Sequence, residues 1–312
     1  MDYYDRKTTD IIMDVPVPSE FALGAYKDNV GAMVNRGIEI SLGYNNRWND
    51  WSLSVNGNFT YNQNKILNLG GVQRMIDGNT IKQIGSPINS YYAYKTDGFF
   101  QSDAEAQAYM DKYKGKEGYP FTSDFKAGDL IYADTNGDGK MTSEDRIICG
   151  TKDPKFTYGL NINVGWKGFD LSAIFTGAAG VSRFFSTQMY GEFGGDVTHP
   201  STAWLDAWST ENLNGKMPRI ALDSPSYSIN TVSTFWIQNS NYLRMKSIQL
   251  GYTFPSKWIK PSGLSNLRIY YSGENLFTID NLMIGVDPES PEGRGSHYPL
   301  VQTHSIGINL IF

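Results

Sequence analysis

Residues 51–61 read WSLSVNGNFTY, and the character of the side chain changes at every step. One face carries Trp51, Leu53, Val55, Gly57, Phe59 and Tyr61; the other carries Ser52, Ser54, Asn56, Asn58 and Thr60. A repeat of two belongs to an extended strand, so this segment is a strand with one apolar and one polar face. Just upstream, IEISLGYNNRW (38–48) places Ile38, Ile40, Leu42, Tyr44 and Trp48 on one face. Only Asn49 and Asp50 join the two runs, which marks a tight hairpin. The pattern returns in YGLNINVGW (158–166) and, after a Lys167–Gly168 turn, in FDLSAIF (169–175), where Ile174 breaks the polar face. SIQLGYTF (247–254), NLRIYYSG (266–273) and HSIGINLIF (304–312) continue it.

Composition agrees with two-faced strands. The chain has 312 residues, 14% of them aromatic, with 32 glycines, yet only 40% are hydrophobic and mean hydropathy is −0.39. Tyr, Phe, Asn, Ser and Gly suit a sheet wet on one side and dry on the other. The net charge of −5 and the lack of a basic stripe exclude a nucleic-acid partner. A single cysteine, Cys149, excludes an internal disulfide framework. No run of about 18 apolar residues occurs, so no helix spans a membrane; a spanning strand needs only about 9–11 residues, alternate ones apolar. The opening MDYYDRKTTD is no signal peptide, which fits either a cytosolic chain or a mature fragment lacking its N-terminal part.

Loop lengths separate a membrane barrel from a soluble β-sandwich with aromatic edges. Spans are expected near 2–13, 36–48, 51–62, 155–166, 169–183, 236–254, 266–278 and 302–312. Tight turns then fall at one end, and the long excursions 14–36, 63–154, 185–235 and 279–301 all fall at the other, an outer-membrane pattern. The segment 255–265, held by Pro255 and Pro261, is a third turn at the short end. Trp48, Trp51, Trp166 and Phe169 flank the two tight turns as an aromatic girdle. The expected class is all-β: about eight antiparallel transmembrane β-barrel strands with long extracellular loops.

The excursion 63–154 is too long for structureless loop and predicts a small lobe. SYYAYKTDGFF (90–100) reads as a strand. SDAEAQAYMDKYK (102–114) reads as a helix, with Ser102 and Glu105 at capping-box spacing and Ala106, Tyr109, Met110 and Tyr113 on one face. ADTNGDGKMTSEDR (133–146) follows the calcium pattern D-x-[DN]-x-[DN]-G with an acid at position 12. Asp134, Asn136, Asp138, the Lys140 carbonyl, Thr142 and Asp145 fill the ligand positions of a loop at 134–145, Gly139 allows the sharp turn, and Met141 is the apolar anchor. Asp145 is shorter than the usual Glu. The expected role is a structural calcium site; an Asp/Asn/Gly-rich turn without an ion is the alternative.

Nothing signals an enzyme. His199, His297 and His304 are scattered, and HExxH, G-x-S-x-G, P-loop and dinucleotide fingerprints are absent. His304, in the final strand, suits a surface or girdle position. In the loop 191–219, Trp204 and Trp208, with Tyr190 just before it, could stack on sugar rings or fill loop cores. In 285–299, Arg294 and Tyr298 are candidates for substrate or partner contact.

DLIYADTNGDGKMTSEDRIICGTKDPKFTYGLNINVGWKGFDLSAIFTGAAG (129–180) resembles the C-terminal barrel region of SusC/RagA-type TonB-dependent outer-membrane transporters of Bacteroidetes. So do GAYKDNVGAMVNRGIEISLGYNNRW (24–48), NYLRMKSIQLGYTFP (241–255), NLRIYYSGENLFT (266–278) and the terminal GINLIF (307–312). The resemblance implies a 22-stranded barrel, an N-terminal plug, a TonB box coupling to TonB, and a SusD-like surface lipoprotein over the mouth. Residues 1–312 would then be the C-terminal part of that barrel, without plug, TonB box or signal peptide. The expected function is part of an oligosaccharide importer embedded in the outer-membrane lipid bilayer. Peptide cargo is the first alternative, and a self-contained eight-strand surface adhesin or binding barrel the second.

Overall fold

The computed structural model describes residues 1–15, 24, 26–185, 201–221, 224–227, 232–283, 286–292 and 297–312. Strands β1 (Asp2–Val15), β2 (Tyr26–Trp48) and β3 (Trp51–Leu69) open the chain. Short strands β4 (Arg74–Asp77), β5 (Thr80–Gln83), β6 (Ser90–Tyr94) and β7 (Thr96–Phe99) lead to helix α1 (Asp103–Tyr113), followed by β8 (Leu130–Tyr132) and β9 (Arg146–Thr151). Then come β10 (Phe156–Trp166), β11 (Phe169–Ala179), β12 (Ser182–Phe184), β13 (Ile237–Asn239), β14 (Tyr242–Thr253), the short α2 (Ser256–Ile259), β15 (Asn266–Asp280) and β16 (Thr303–Ile311).

The long strands form one eight-stranded sheet in the order β1-β2-β3-β10-β11-β14-β15-β16, with antiparallel neighbours throughout. Each long strand lies beside the next long strand in sequence, an up-and-down meander. Among the described residues β1 and β16 are edges with no pairing between them, so the sheet is open. The tight turns use left-handed backbone: Lys167 (φ 46°) and Gly168 (φ 90°) both adopt it, as a type I′ hairpin requires.

Register carries the two faces intact across the sheet. Leu53, Val164, Leu171, Leu250, Tyr271 and Ile306 are successive cross-strand partners on the apolar face. One residue along, Asn45, Ser54, Asn163, Ser172, Gln249, Ser272 and Ser305 make the corresponding polar row. A one-residue slip at any pair would carry one strand's polar side chains onto the apolar face. At the turn end Trp48, Trp51, Trp166, Phe169 and Tyr252 are direct neighbours on five strands. The Trp51 and Trp166 rings stack at 5.4 Å, and Phe169 meets Tyr252 at 4.5 Å. The expected girdle is therefore one continuous belt.

The eight expected spans are present, but two are longer. β2 begins at Tyr26 and β3 runs to Leu69, so the excursions expected at 14–36 and 63–154 are shorter. Alternation fades there because those halves pack on loops rather than dividing two solvents: Val34, Ile66 and Leu69 are buried. Conversely β14 starts at Tyr242, since Ile237–Asn239 pairs with β12 in a separate ribbon.

The lobe has a helix over an aromatic core. Ser102 caps α1 by accepting from the Glu105 N–H, while Glu105 reaches back to the Gln101 N–H at 2.7 Å. Ala106, Met110 and Tyr113 are buried, against Phe100, Phe121, Phe125, Leu130 and Tyr132. The lobe does not stand alone. Phe235 packs on the same cluster, and Tyr94 exchanges backbone hydrogen bonds with Val232 and Thr234. The excursion after β12 thus closes over the lobe between β3 and β10.

Candidate functional site

Extended backbone sends alternate side chains to one surface, and on the polar surface these are amides and hydroxyls with a few charges. Toward the turn end Asp170 accepts from Arg268 at 3.0 Å and 2.5 Å, and the same guanidinium donates to Gln249 at 2.9 Å. Arg268 lies flat over Gly251, where an added Cβ would stand 2.4 Å from its Nη2. Tyr270 covers Gly307 in the same way, with Cζ at 2.3 Å from a Cβ there. The glycines on this face leave room for long neighbours to lie against the wall.

Toward the loop end Arg244 is the dominant feature, 2% exposed. Its Nη2 meets Asp287 at 2.5 Å, its Nη1 meets Glu289, and its Nε donates to Thr278 Oγ1 at 3.1 Å. Arg244 also lies over the Tyr242 ring. A forked guanidinium taking two carboxylates satisfies a buried cation that would otherwise be costly.

In the lobe, Asp129 is 0% exposed and gathers three segments. It accepts from Arg219 Nε at 2.9 Å, the Lys126 N–H at 2.8 Å, Ser226 Oγ at 3.4 Å and Ser224 Oγ. Burial raises its carboxyl above the ordinary 3.8, opposed by Ser224, the Lys126 amide and Arg219. None of Arg244, Arg268, Asp170 and Asp129 was singled out from sequence. A charge inside a two-faced strand was the available signal for the first three.

The calcium-like loop is a set of carboxylate-bridged turns. Asp134 accepts from the Gly137 and Gly139 N–H groups at 2.7 and 3.0 Å, Asn136 from Asp138 at 2.9 Å, and Asp138 from Lys140 at 2.7 Å. Asp145 is buried and accepts from Thr135 and Thr142 N–H groups at 2.9 and 2.7 Å. Thr142 and Asp145 form a capping box around a short 3₁₀ turn, and Met141 is buried in the lobe core as the anchor. Side-chain and carbonyl oxygens throughout suit a hard cation. Among the described residues no three His, Cys, Asp or Glu side chains converge as a metal centre.

Two of the expected contact residues are enclosed. Trp204, 4% exposed, packs with Phe185, Met217 and Trp236. Trp208, 6% exposed, donates to Gln101 at 3.4 Å, and Gly128 backs onto its ring. Both rings are loop core, because a loop this long needs its own apolar filling, and neither offers an open face for a sugar. Tyr298 is 91% exposed. Tyr190 and Arg294 lie outside the described residues. His304 is on the apolar face beside Gly273, with Nδ1 2.8 Å from the Tyr271 hydroxyl.

A meander of two-faced strands with short turns at one end, long loops at the other and an aromatic belt is the wall of a membrane-barrel type of protein. The comparisons place it more narrowly. No family model matches the chain. Over its whole length it is 28% identical to TonB-dependent receptor P3 of Formosa agariphila and 26% identical to TonB-dependent receptor SusC of Bacteroides thetaiotaomicron, covering 32% and 30% of those proteins. It superposes on RagAB peptide importer structures in the open-open and closed-closed states, each with a TM-score of 0.72 and 25% identity, over 99% of this chain and 32–33% of those chains. The chain is homologous to TonB-dependent receptors, SusC among them, and spans about a third of their length.

Proposed function

We propose that this chain forms the C-terminal part of the barrel wall of a TonB-dependent outer-membrane importer, working with a SusD-like surface lipoprotein and taking up oligosaccharides. The register carries the reading: across six strand pairs one apolar and one polar face are kept between the aromatic rows, and the bulge there, between Met245 and Ser247, resumes the pairing with Met245 opposite Phe175 on the apolar face and Arg244 opposite Thr176 on the polar face. Lipid meets the apolar face and the polar face lines the lumen. Ten residue steps along β10 separate the Trp51–Trp166 row from the Tyr61–Phe156 row, which is a second aromatic cluster with rings 5.1 Å apart. At about 3.3 Å per residue and a tilt of about 45°, that distance projects to about 23 Å, close to the roughly 25 Å band of an outer-membrane barrel. The open sheet speaks against the self-contained eight-strand adhesin.

The mechanism is gated passage rather than covalent chemistry; the homologues are receptors, not enzymes. Asn, Ser and Gln side chains of the polar rows exchange hydrogen bonds with a hydroxylated cargo as readily as with water, so no strong well stops its movement. Peptide cargo is the second reading, favoured by the likeness to RagAB peptide importers. Calorimetric titration of the full-length protein with its lipoprotein partner separates the two. Oligosaccharides from polysaccharide digests are expected to bind and mixed peptides to give no heat; the reverse outcome transfers the proposal to peptides.

Calcium at 134–145 is proposed as a fastening of the lobe. The ligand-position residues present are Asp134, Asn136, Asp138, the Lys140 carbonyl, Thr142 and Asp145, and the ion would neutralise acids clustered in a turn already folded by its own N–H groups. Asp134→Ala with Asp138→Ala is expected to raise protease cleavage within 90–150 while the barrel stays heat-modifiable. Chelator on the wild type is expected to do the same; equal cleavage with and without chelator would leave the loop a turn without an ion.

A further inference from the structure

Residues 286–292 cross the polar face of the sheet at its loop end. Asp287 and Glu289 both grip Arg244, whose side chain leaves β14 on that face. The Pro288 carbonyl accepts from Ser240 Oγ at 2.9 Å, and Glu292 pairs with Lys152 at 2.7 Å. The backbone tells a different story. Pro288 and Pro291 carry no N–H, and the segment's own hydrogen bonds turn inward: Ser290 N–H to the Asp287 carbonyl and Glu289 N–H to the Asp287 carboxylate. Among the described residues no backbone–backbone hydrogen bond ties 286–292 to a strand. A solvent-open pocket of about 340 Å³ lies among this segment, β15 and residues 297–302, lined in part by Asn275, Thr278 and Asp280.

We propose that residues 286–292 are a detachable strap over the polar face, seated by Arg244 and able to lift without breaking any rung of the sheet. The proposal rests on the importer reading for its purpose, uncovering lumen wall beside β14 and β15, but not for its geometry. Two features make Arg244 the seat. It is nearly fully buried, so losing its carboxylates is costly, and its planar fork holds two acids at once where a lysine would hold one. Glu289 remains about half exposed at its side chain, so one side of the clamp is open to water and to competing cations.

The test is amide hydrogen exchange on the full-length protein in detergent, comparing wild type, Arg244→Lys, Arg244→Gln and the double variant Asp287→Asn/Glu289→Gln. The double variant leaves Arg244 in place and guards against a folding defect in the arginine variants. Exchange of the Glu289, Ser290 and Glu292 amides is expected to rise about tenfold or more in Arg244→Gln and in the double variant, and less in Arg244→Lys, while β14 and β15 keep wild-type protection. Unchanged exchange in the double variant would overturn the proposal, as would an equal rise in β14 and β15, which would make the clamp part of the sheet's stability. Failure of the importer reading would show instead in cargo titration, and would leave this exchange pattern standing.

Discussion

Ile162→Arg is expected to remove the folded, heat-modifiable form of the full-length protein from the outer membrane, and Asn163→Arg to leave it near wild-type abundance. The two positions are adjacent, so propensity and length of strand are the same. Ile162 is flanked by Val55 and Ala173 on the apolar face, midway between the aromatic rows. A charge there faces hydrocarbon at about the depth where an arginine costs about 2–4 kcal/mol. Asn163 is flanked by Ser54 and Ser172 on the polar face, where a guanidinium keeps its water. Membrane fractionation with unheated gel electrophoresis reads both. Loss of both variants, or survival of both, would break the assignment of faces.

Asp129→Ala is expected to loosen the loop lobe by about 3–5 kcal/mol, the scale for removing one partner of a buried ion pair. The carboxylate joins the 126–129 turn, Arg219 and the Ser224–Ser226 segment. Without it Arg219 keeps its charge in a half-buried site, and the serine hydroxyls lose a shared acceptor. Asp129→Asn preserves part of the acceptor geometry and is expected to cost less. Proteolysis within 90–150 and 201–221 is expected to accelerate together in Asp129→Ala, since the two excursions share this tie, with the barrel band unchanged. Acceleration in one excursion alone would refute the shared role.

How much of this was legible in sequence depends on whether a local pattern or a distant partner set it. The sheet was legible because its periodicity is local: WSLSVNGNFTY and YGLNINVGW each declare two faces, and pairing needs only that like faces meet. The helix 103–113 was legible for the same reason, through Ser102 and its buried stripe. The seat of the strap was not. Counting by twos from Tyr252 and Ile248 puts Arg244 on the apolar face. A bulge between Met245 and Ser247 adds one residue to the count, so that Met245 opposes Phe175 and Arg244 opposes Thr176 on the polar side. The local hint in NYLRMKSIQL is that the same count also puts Lys246 on the apolar face, but it does not say where the extra residue falls. For Trp204 and Trp208 the sequence left two readings open, sugar stacking and loop core, and burial selects loop core. The sequence could not choose between them because the partners that enclose the rings, Trp236 for Trp204 and Gly128 for Trp208, are brought close only by the fold. The turn hydrogen bonds at 134–145 are set locally, because every donor and acceptor in them lies within the loop itself.

The central claim is that the apolar face of this sheet meets lipid and the polar face meets water. Nitroxide scanning of residues 159–165 in the full-length protein, reconstituted in vesicles, tests it most directly. Oxygen accessibility is expected to peak at Leu160, Ile162 and Val164, and accessibility to a water-soluble nickel reagent at Asn161 and Asn163, the two out of phase with a period of two. Accessibilities in phase, or a water-soluble maximum on the Leu160–Ile162–Val164 side, would contradict it.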